Sequence, residues 1–571
     1  MADTPPPTAQ ELVQQLRGYS TSPGPPDELV QLLRPPRLAL RSSPSFRKSY
    51  GSHLDFWPAL QGVWKLEAER ISKDEKESIP SLTALAAFLL SLCTQDAENQ
   101  ALAVQHIEPE LRRVLLVASS LFNLEDTVYQ PMTRLLAQSL ANLVTANDAV
   151  ASSFFPARLR LEEDDNLLQR LLATPDQGTL QAVLIFLLNS VHGSRERALL
   201  LGTSKSGAAL LDRLMVLVGA LFDDETPEGI ANEEFANVLF GLTFAIVQQL
   251  ITLGVFPDAY AAHRLMPDFC TDPTLVTLLK FLDGHLSTSS LTAISSSALA
   301  LVPFLLAQLA HLTAHLVPTE EDKKEASDAA AFQGVVLVLH CLCSIGLGLD
   351  KAAGEAKHGI VTDDGYTAGS GALEEGKAED VKDQMVEAVD DVVRLLRFSQ
   401  TLLPPPGPRP TAPSPSSSSP ASAPSPTPAT PIPPSSRFTS LSDPPSVPLA
   451  AAPPPLPTEA TAQLQRTATQ LLGILAFAPL TPTLKDPYPK TKGAAKRAQE
   501  RVRESGGLGV LLGMCQIDER NPTMREHALF AIRTLLKGNQ PSQDFVEGIK
   551  PQYAVGAGGE LLDLPPALRK A

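Results

Sequence analysis

The chain has 571 residues, more than one hydrophobic core ordinarily serves, and its apolar content of 43% with only 5% aromatics points to a helical core of Leu, Ala and Val. A formal net charge of −16 and a pI near 5.2 exclude the clustered Lys and Arg of a nucleic-acid footprint. The five cysteines, Cys93, Cys270, Cys341, Cys343 and Cys515, are scattered through apolar runs, which excludes a disulfide framework and implies a reducing compartment.

The first residues show no basic segment followed by an apolar one, so the expected location is the cytoplasm. Residues 1–50 are rich in Pro, Ser and Arg, with short amphipathic patches at 10–16 and 27–33, and read as a loosely ordered segment. From about residue 54 the pattern becomes one of apolar helices separated by short polar breaks. The periodicity predicts helices at 81–94, 109–122, 129–145, 165–173, 179–192, 208–222 and 233–253, then at 274–286, 298–316, 331–347 and 380–402. No segment alternates with the period of a strand.

Two of these runs, 236–257 and 284–319, contain no Asp, Glu, Lys or Arg and are long enough to cross a bilayer. Gln248, Gln249, Pro303, Gln308, His311 and His315 interrupt them, and neither has a basic or aromatic belt. They read as central helices covered on both sides by neighbours, with no membrane span.

Internal similarity supports that reading. LTALAAFLLSLCTQDAENQ at 82–100 and TRLLAQSLANLVTANDAV at 133–150 are each an apolar helix ending in a polar turn that holds Asn. A third copy at 179–201 places Asn189 near the end of its apolar run. Units of this kind, each burying its apolar face on the next, predict an all-α, armadillo-like, right-handed α-solenoid over residues 51–402, with a mobile Gly- and acid-rich insertion at 351–378. Residues 403–457 hold about two-fifths of the 51 prolines and read as a disordered Pro/Ser-rich linker. Helices return over 458–550, and 551–571 reads as a tail.

Within that C-terminal region Asn521 is a good N-cap and Pro522 suits the first helical position. Met524, Ala528, Ala531, Ile532, Leu535 and Leu536 then line one helix face, and Gly538 supplies the stop. The double glycine Gly506 and Gly507, an apolar helix ending in Cys515, the step Ile517 to Asp518 and the turn Asn521 to Pro522 together resemble the C-terminal domain of the ataxin-10 family over about 80 residues. The run Arg525, Glu526 and Ala528 to Arg533 extends the likeness, while His527 and Thr534 depart from the family's usual Trp and Asn, and 479–494 is an insertion. The resemblance implies an armadillo-like cytoplasmic protein without enzymatic activity, acting as a protein-interaction scaffold in the regulation of cytokinesis.

Candidate chemistry elsewhere is thin. GALEEGK at 371–377 has phosphate-loop spacing, but Ala378 replaces the magnesium-holding Ser or Thr and two glutamates sit in the loop. His311 and His315 are four apart yet have no third ligand, and Cys341, Cys343 and His340 point to different faces of one helix, so no metal or cofactor is expected. Ser414, Ser425 and Thr427, with Ser419 and Thr430, precede prolines and are candidate acceptors for proline-directed phosphorylation, and the polyproline runs could dock on aromatic grooves. For partner binding the best candidates are Arg525, Glu526 and Arg533, which alternate with the buried helix face. The expected partners are other proteins, self-association included, and no nucleic acid. The competing reading is a cytoplasmic transport or chaperone-like adaptor for extended peptides. It requires a ladder of Asn and Trp along a groove, and Trp57 and Trp64 are the only tryptophans.

Overall fold

The computed structural model describes residues 6–160, 167–222, 233–263, 272–289, 295–317, 329–358, 375–402, 458–478, 493–516, 518, 520–549, 553–555 and 561–563. The segment 403–457 with Ser414, Ser425 and Thr427, and also Cys270 and Ile517, lie outside the described residues.

Residues 9–51, expected as loosely ordered, instead form α1 (Ala9–Thr21), α2 (Pro26–Ser42) and α3 (Pro44–Gly51). The cause is local and tertiary at once. Thr8 and Glu11 make a reciprocal capping box at the start of α1, and Leu12, Leu16, Leu29, Leu33 and Leu40 are buried. Pro26 and Pro44, which read as loop residues, sit in first turns, where proline's missing N–H has no partner to lose.

The chain continues through α4 (Phe56–Ser72), α5 (Ile79–Cys93), α6 (Ala97–His106), α7 (Glu108–Ala118), α8 (Gln130–Val144), α9 (Asp148–Leu159), α10 (Leu167–Leu171), α11 (Gln177–Val191), α12 (Arg195–Thr203), α13 (Lys205–Phe222), α14 (Glu233–Thr252) and α15 (Phe256–Ala262). After these come α16 (Pro273–Ser289), α17 (Ser296–Leu299), α18 (Val302–Leu316), α19 (Ala329–His358), α20 (Glu375–Met385), α21 (Val389–Leu402), α22 (Thr458–Ala476), α23 (Gly493–Glu504), α24 (Gly507–Gly513), α25 (Met524–Leu536) and α26 (Gln540–Glu547). The 351–378 insertion is therefore shorter than expected, since 351–358 extend α19 and 375–378 open α20; residues 359–374 lie outside the described residues.

Contacts sort the helices into three rows. A central ladder runs α2, α5, α8, α11, α14, α16, α19, α22, α25, each helix packed on the one before. Beside it a first row runs α1, α4, α7, α10, α13, and a third row runs α3, α6, α9, α12, α15. The early ladder helices begin at residues 26, 79, 130, 177 and 233, a spacing of roughly fifty residues that marks a three-helix repeat. The period loosens at α16 and resumes with α18, α21, α24 in the first row and α20, α23, α26 in the third. The result is an all-α, armadillo-like solenoid with one continuous apolar core.

A compact turn joins the ladder helices α5, α8, α11 and α25 to their third-row helices. One residue adopts positive φ, and the next caps the following helix: Gln95 before Asp96, Ala146 before Asn147, Gly193 before Ser194 and Gly538 before Asn539. In two repeats far apart in sequence the same polar knot closes over this turn. The Gln100 amide donates to Asn142 O at 2.7 Å and Thr145 O at 3.0 Å, and accepts from Asn147 Nδ2 at 2.9 Å. The Gln499 amide donates to Thr534 O at 2.9 Å and Lys537 O at 3.1 Å, and accepts from Asn539 Nδ2 at 3.2 Å. Each knot satisfies ladder-helix carbonyls that would otherwise end without a partner.

The helices on either side of 403–457 stack into one solenoid, and the segment interrupts a repeat: α21 is the first-row helix and α22 the ladder helix of the same unit. Ladder helix α22 packs directly on α19, where Gly346 gives room to Ile474 and His340 Nε2 lies 2.9 Å from Thr467 Oγ1. Lys382, almost fully buried, donates to Asp350 at 2.7 Å and to the Phe477 carbonyl at 2.9 Å, so it joins α20 to both ladder helices. Burial holds the Asp350 carboxyl above its usual range despite the lysine. On the surface, acids of α20 and α21 face bases of α23: Glu379 accepts from Ala494 N, Asp383 pairs with Arg497, and Arg501 pairs with Glu387 at 2.9 Å and Asp390 at 2.8 Å.

One small departure from the helical pattern closes the described chain. Tyr553–Val555 (β1) and Leu561–Asp563 (β2) form an antiparallel ribbon with Ala554 opposite Leu562, where a tail was expected.

Candidate partner-binding surface

Helix α25 is the last ladder helix, and its two faces differ. Met524, Ala528, Ala531, Ile532 and Leu535 are buried, while Arg525, Glu526 and Arg533 are exposed, as the spacing requires. None of these three charges has an ion pair among the described residues, and Leu529 and Phe530, about half exposed, lie among them. Phe530 leans on Gly473 of α22, whose missing side chain leaves room for the ring. Between α22 and α25 a cleft of about 250 Å³ opens, lined by Phe477, Gln499, Phe530, Arg533, Thr534 and Lys537.

The family-signature residues build this end of the stack. Gly506 takes φ +72° and caps α24, a conformation that a side chain strains, and a Cβ there would meet the Arg397 guanidinium that binds Ser505 O. At Gly507 a Cβ would fall 2.8 Å from Val393 and 2.9 Å from Val502, so α21, α23 and α24 close on that glycine. Cys515 is half-buried and its thiol is pushed up by burial, which makes it a packing residue. Asp518 is held below its usual range by the Arg520 guanidinium, bound through both carboxylate oxygens at 2.9 Å.

Asn521 and Pro522 correct the sequence reading. Helix α25 begins at Met524 after Thr523, and Asn521 lies ahead of it, almost fully buried. Its side chain donates to Ala462 O at 3.2 Å and Gln465 Oε1 at 3.3 Å, so it clamps the turn onto α22 and caps nothing. A helix N-cap and a buried clamp share the same residue type, and only the neighbouring helix tells them apart.

The other candidate chemistry is absorbed by packing. Cys341 and Cys343 are fully buried in α19, and burial raises both thiols. Among the described residues no group of three His, Cys, Asp or Glu side chains comes close enough to hold a metal ion. Glu375, Gly376 and Lys377 form the first turn of α20, while 371–374 lie outside the described residues. Trp57 and Trp64 are buried, and the Asn142 amide is occupied by Leu90 O at 2.8 Å, so neither offers itself to a peptide along a groove. Among the described residues four helices are long and apolar enough to cross a membrane by length and composition: 76–93, 233–252, 296–316 and 329–351.

Sequence reasoning missed the two Gln and Asn knots and the charge row between α20–α21 and α23. The signal for the row was present, since Glu379, Asp383 and Glu387 recur at intervals of four, as do Arg497 and Arg501. The sequence leads to the expectation that the helices flanking 403–457 stack together, because one short C-terminal repeat buries little alone, but the intervals do not say which helices face each other.

Residues 494–563 match the family model of the spinocerebellar ataxia type 10 protein domain. A stretch of 55 residues is 42% identical to an ataxin-10 homolog of Candida glabrata, covering 10% of each chain. One of 66 residues is 38% identical to a homolog of Dictyostelium discoideum, covering 12% of this chain and 11% of that one, and one of 57 is 35% identical to ataxin-10 of Xenopus tropicalis, covering 10% and 12%. The chain thus spans about a tenth of the length of the curated relatives it matches. Among solved structures, SYS-1 aligns over 98% of this chain and 91% of its own with a TM-score of 0.35 and 10% identity. A chain from work on a phosphorylation switch between cadherin and β-catenin aligns over 92% and 90% with a TM-score of 0.27 and 12% identity.

Proposed function

We propose that this chain, which belongs to the ataxin-10 family through its C-terminal segment, is a non-catalytic protein-interaction scaffold that contributes to the regulation of cytokinesis in the cytoplasm. One observation carries the scaffold reading. The long buried polar side chains Gln100, Asn147, Arg197, Lys382 and Gln499 are each bonded to backbone or to a partner side chain that holds helices together. What the described surface offers is a face of α25 that carries exposed Arg525, Leu529 and Arg533 and that no other described ladder helix covers, an arrangement suited to holding another protein.

The cytokinesis assignment rests on the family. Its test is division in cells lacking the protein: delayed septation or binucleate cells are expected, and normal division removes the assignment while leaving the scaffold reading to be tested by capture. Capture of the tagged full-length chain from dividing cells should return defined protein partners; an empty capture counts against the scaffold itself. Truncation after residue 457 is a poor tool for either purpose, because it uncovers the faces of α19 and α21 that α22 buries.

A further inference from the structure

Helix α2 opens the central ladder, so α5 packs on one of its sides and no described ladder helix packs on the other. Leu29, Leu33 and Leu40 are buried, while Leu32 and Pro35 are partly buried, Leu38 is about half exposed, and Arg34 and Arg41 are exposed. Later repeats show which way Leu38 points. Asn142 in α8 and Asn189 in α11 stand five residues before the cap of the following third-row helix, and each reaches back to the preceding ladder helix. The Asn142 amide donates to Leu90 O at 2.8 Å, and the Asn189 amide to Thr145 Oγ1 at 2.9 Å. Leu38 holds the same place before Ser43, the cap of α3, and has no preceding ladder helix to meet.

Charge sets this side apart from the rest of the molecule. Between Glu28 and Asp55 the chain carries five bases, Arg34, Arg37, Arg41, Arg47 and Lys48, and no acid, although its net charge is −16. The neighbouring α5 has no charged residue. Arg47 is occupied, donating to Leu40 O at 3.0 Å and Thr94 O at 2.7 Å. Arg34, Arg37, Arg41 and Lys48 make no ion pair among the described residues, and Arg37 Nε, buried, finds no hydrogen-bond partner there. The helix dipole accounts for a base in the last turn, at Arg41, but not for Arg34 and Arg37 in mid-helix.

We propose that the open side of α2 is a docking site for an acidic amphipathic helix of another protein, with its apolar stripe on Leu32, Pro35 and Leu38 and its carboxylates on Arg34 and Arg41. The site deepens the scaffold reading, on which it rests, by naming a place and a partner class. Guanidinium groups on an otherwise acidic body draw carboxylates and set their orientation. Spacing selects a helix: Arg34 and Arg41 lie two turns apart, about 10.5 Å along the axis, which matches residues i and i+7 of a partner helix, whereas a strand returns to the same face about every 6.8 Å. An anionic membrane plane would also meet the exposed Asp27 and Glu28 at the start of α2, and a second copy would bring the same five bases against these.

The test uses the full-length protein and a labelled synthetic helix with leucines every third or fourth residue and glutamates beside them, followed by fluorescence anisotropy. A control peptide has lysine in place of each glutamate. The acidic peptide should bind the native protein, weaken as salt is raised, and lose about tenfold or more in affinity to the Arg34→Glu, Arg41→Glu double variant. The lysine peptide should prefer the double variant. Leu38→Ser should weaken the acidic peptide without changing its salt dependence. The substituted side chains are exposed, so each variant should melt with the native protein, and that melt is the check on folding. Equal binding of the two peptides, or affinity unchanged in the double variant, overturns the proposal. So does binding of phosphatidylserine vesicles where the peptide fails, or a sedimentation result in which the native chain self-associates and the double variant does not. If the peptides fail while capture from cells still returns partners that the double variant also retains, the site is wrong and the scaffold reading stands.

Discussion

The knot at Gln100 and Asn147 and the knot at Gln499 and Asn539 are the same device in two settings. Both join a ladder helix to its neighbours through one glutamine that spans two carbonyls and one asparagine that caps the next helix. The first lies in an uninterrupted run of repeats, with α11 covering the far side of α8. The second follows 403–457 and ends the ladder. Here a buried lysine bridge and a surface row of ion pairs join helices from the two sides of that segment, whereas the interior bridges, such as Arg197 to Asp148 and Arg134 to Asp176, join repeats that adjoin in sequence. Apolar stacking supplies most of the attraction at both places. The added charges fix register where chain connectivity no longer does.

The largest expected effect follows from that difference. Lys382→Ala leaves Asp350 buried without its cation and Phe477 O without its donor, and should destabilise the C-terminal repeats by about 3–5 kcal/mol. Urea unfolding should then split into two transitions, with the C-terminal one moved to lower denaturant. A single unchanged transition would mean that the bridge adds nothing to apolar packing across the interruption.

Gln100→Ala and Gln499→Ala compare the two knots directly. Each removes a side chain that satisfies two buried carbonyls and one amide, at a cost of about 2–3 kcal/mol. Because a solenoid couples each repeat only to its neighbours, the interior variant should lower the main transition, whereas the terminal one should raise amide exchange in α25 and α26 alone. Equal effects on the main transition would show that the C-terminal repeat unfolds with the rest.

The acid response should differ between the regions as well. Burial tends to raise the Asp176 carboxyl, but bonds from Arg134 and from the hydroxyl and backbone N–H of Thr179 outweigh it and hold the group below its usual range. A depressed folded pKa contributes stability that is complete above the unfolded value and is lost as pH falls below the usual carboxylate range and through the folded one. Glu67 and Glu108 are raised by burial and respond with the opposite sign. Asp176→Asn should therefore flatten the acid limb of a pH series of thermal melts in the α8–α11 region, and an acid limb as steep as that of the native protein would assign the loss elsewhere.

Much of the ladder was legible in the sequence, because its helices are long, apolar and nearly charge-free, as at 81–94, 129–145 and 179–192. The third row was not: α6, α9 and α12 are short, α6 and α12 are rich in polar residues, and their starts look like turns because Asp96, Asn147 and Ser194 are turn residues before they are caps. The same ambiguity hid α2 and α3 behind their prolines. For the candidate surface, spacing placed Arg525, Glu526 and Arg533 on the outside correctly. It could not show that Leu529 is exposed beside them, since exposure of a leucine depends on what packs against it and not on its own neighbours in sequence.

The smallest effect tests the shared turn. Positive φ costs a residue with a Cβ about 1–2 kcal/mol relative to glycine, less the entropy that glycine loses on folding. Gly538 meets this requirement with no Cβ at φ +65°, while Ala146 meets it with one at φ +55°. Ala146→Gly should accordingly stabilise the interior repeat by about 0.5–1 kcal/mol, and Gly538→Ala should destabilise the terminal repeat by a similar amount. The two substitutions interchange the turn residues of two otherwise matching knots, so opposite signs of near-equal size in paired thermal melts would show that the turn, and not its setting in the stack, determines its energy. A loss in both variants would instead mean that the Ala146 methyl group makes contacts worth more than its backbone strain.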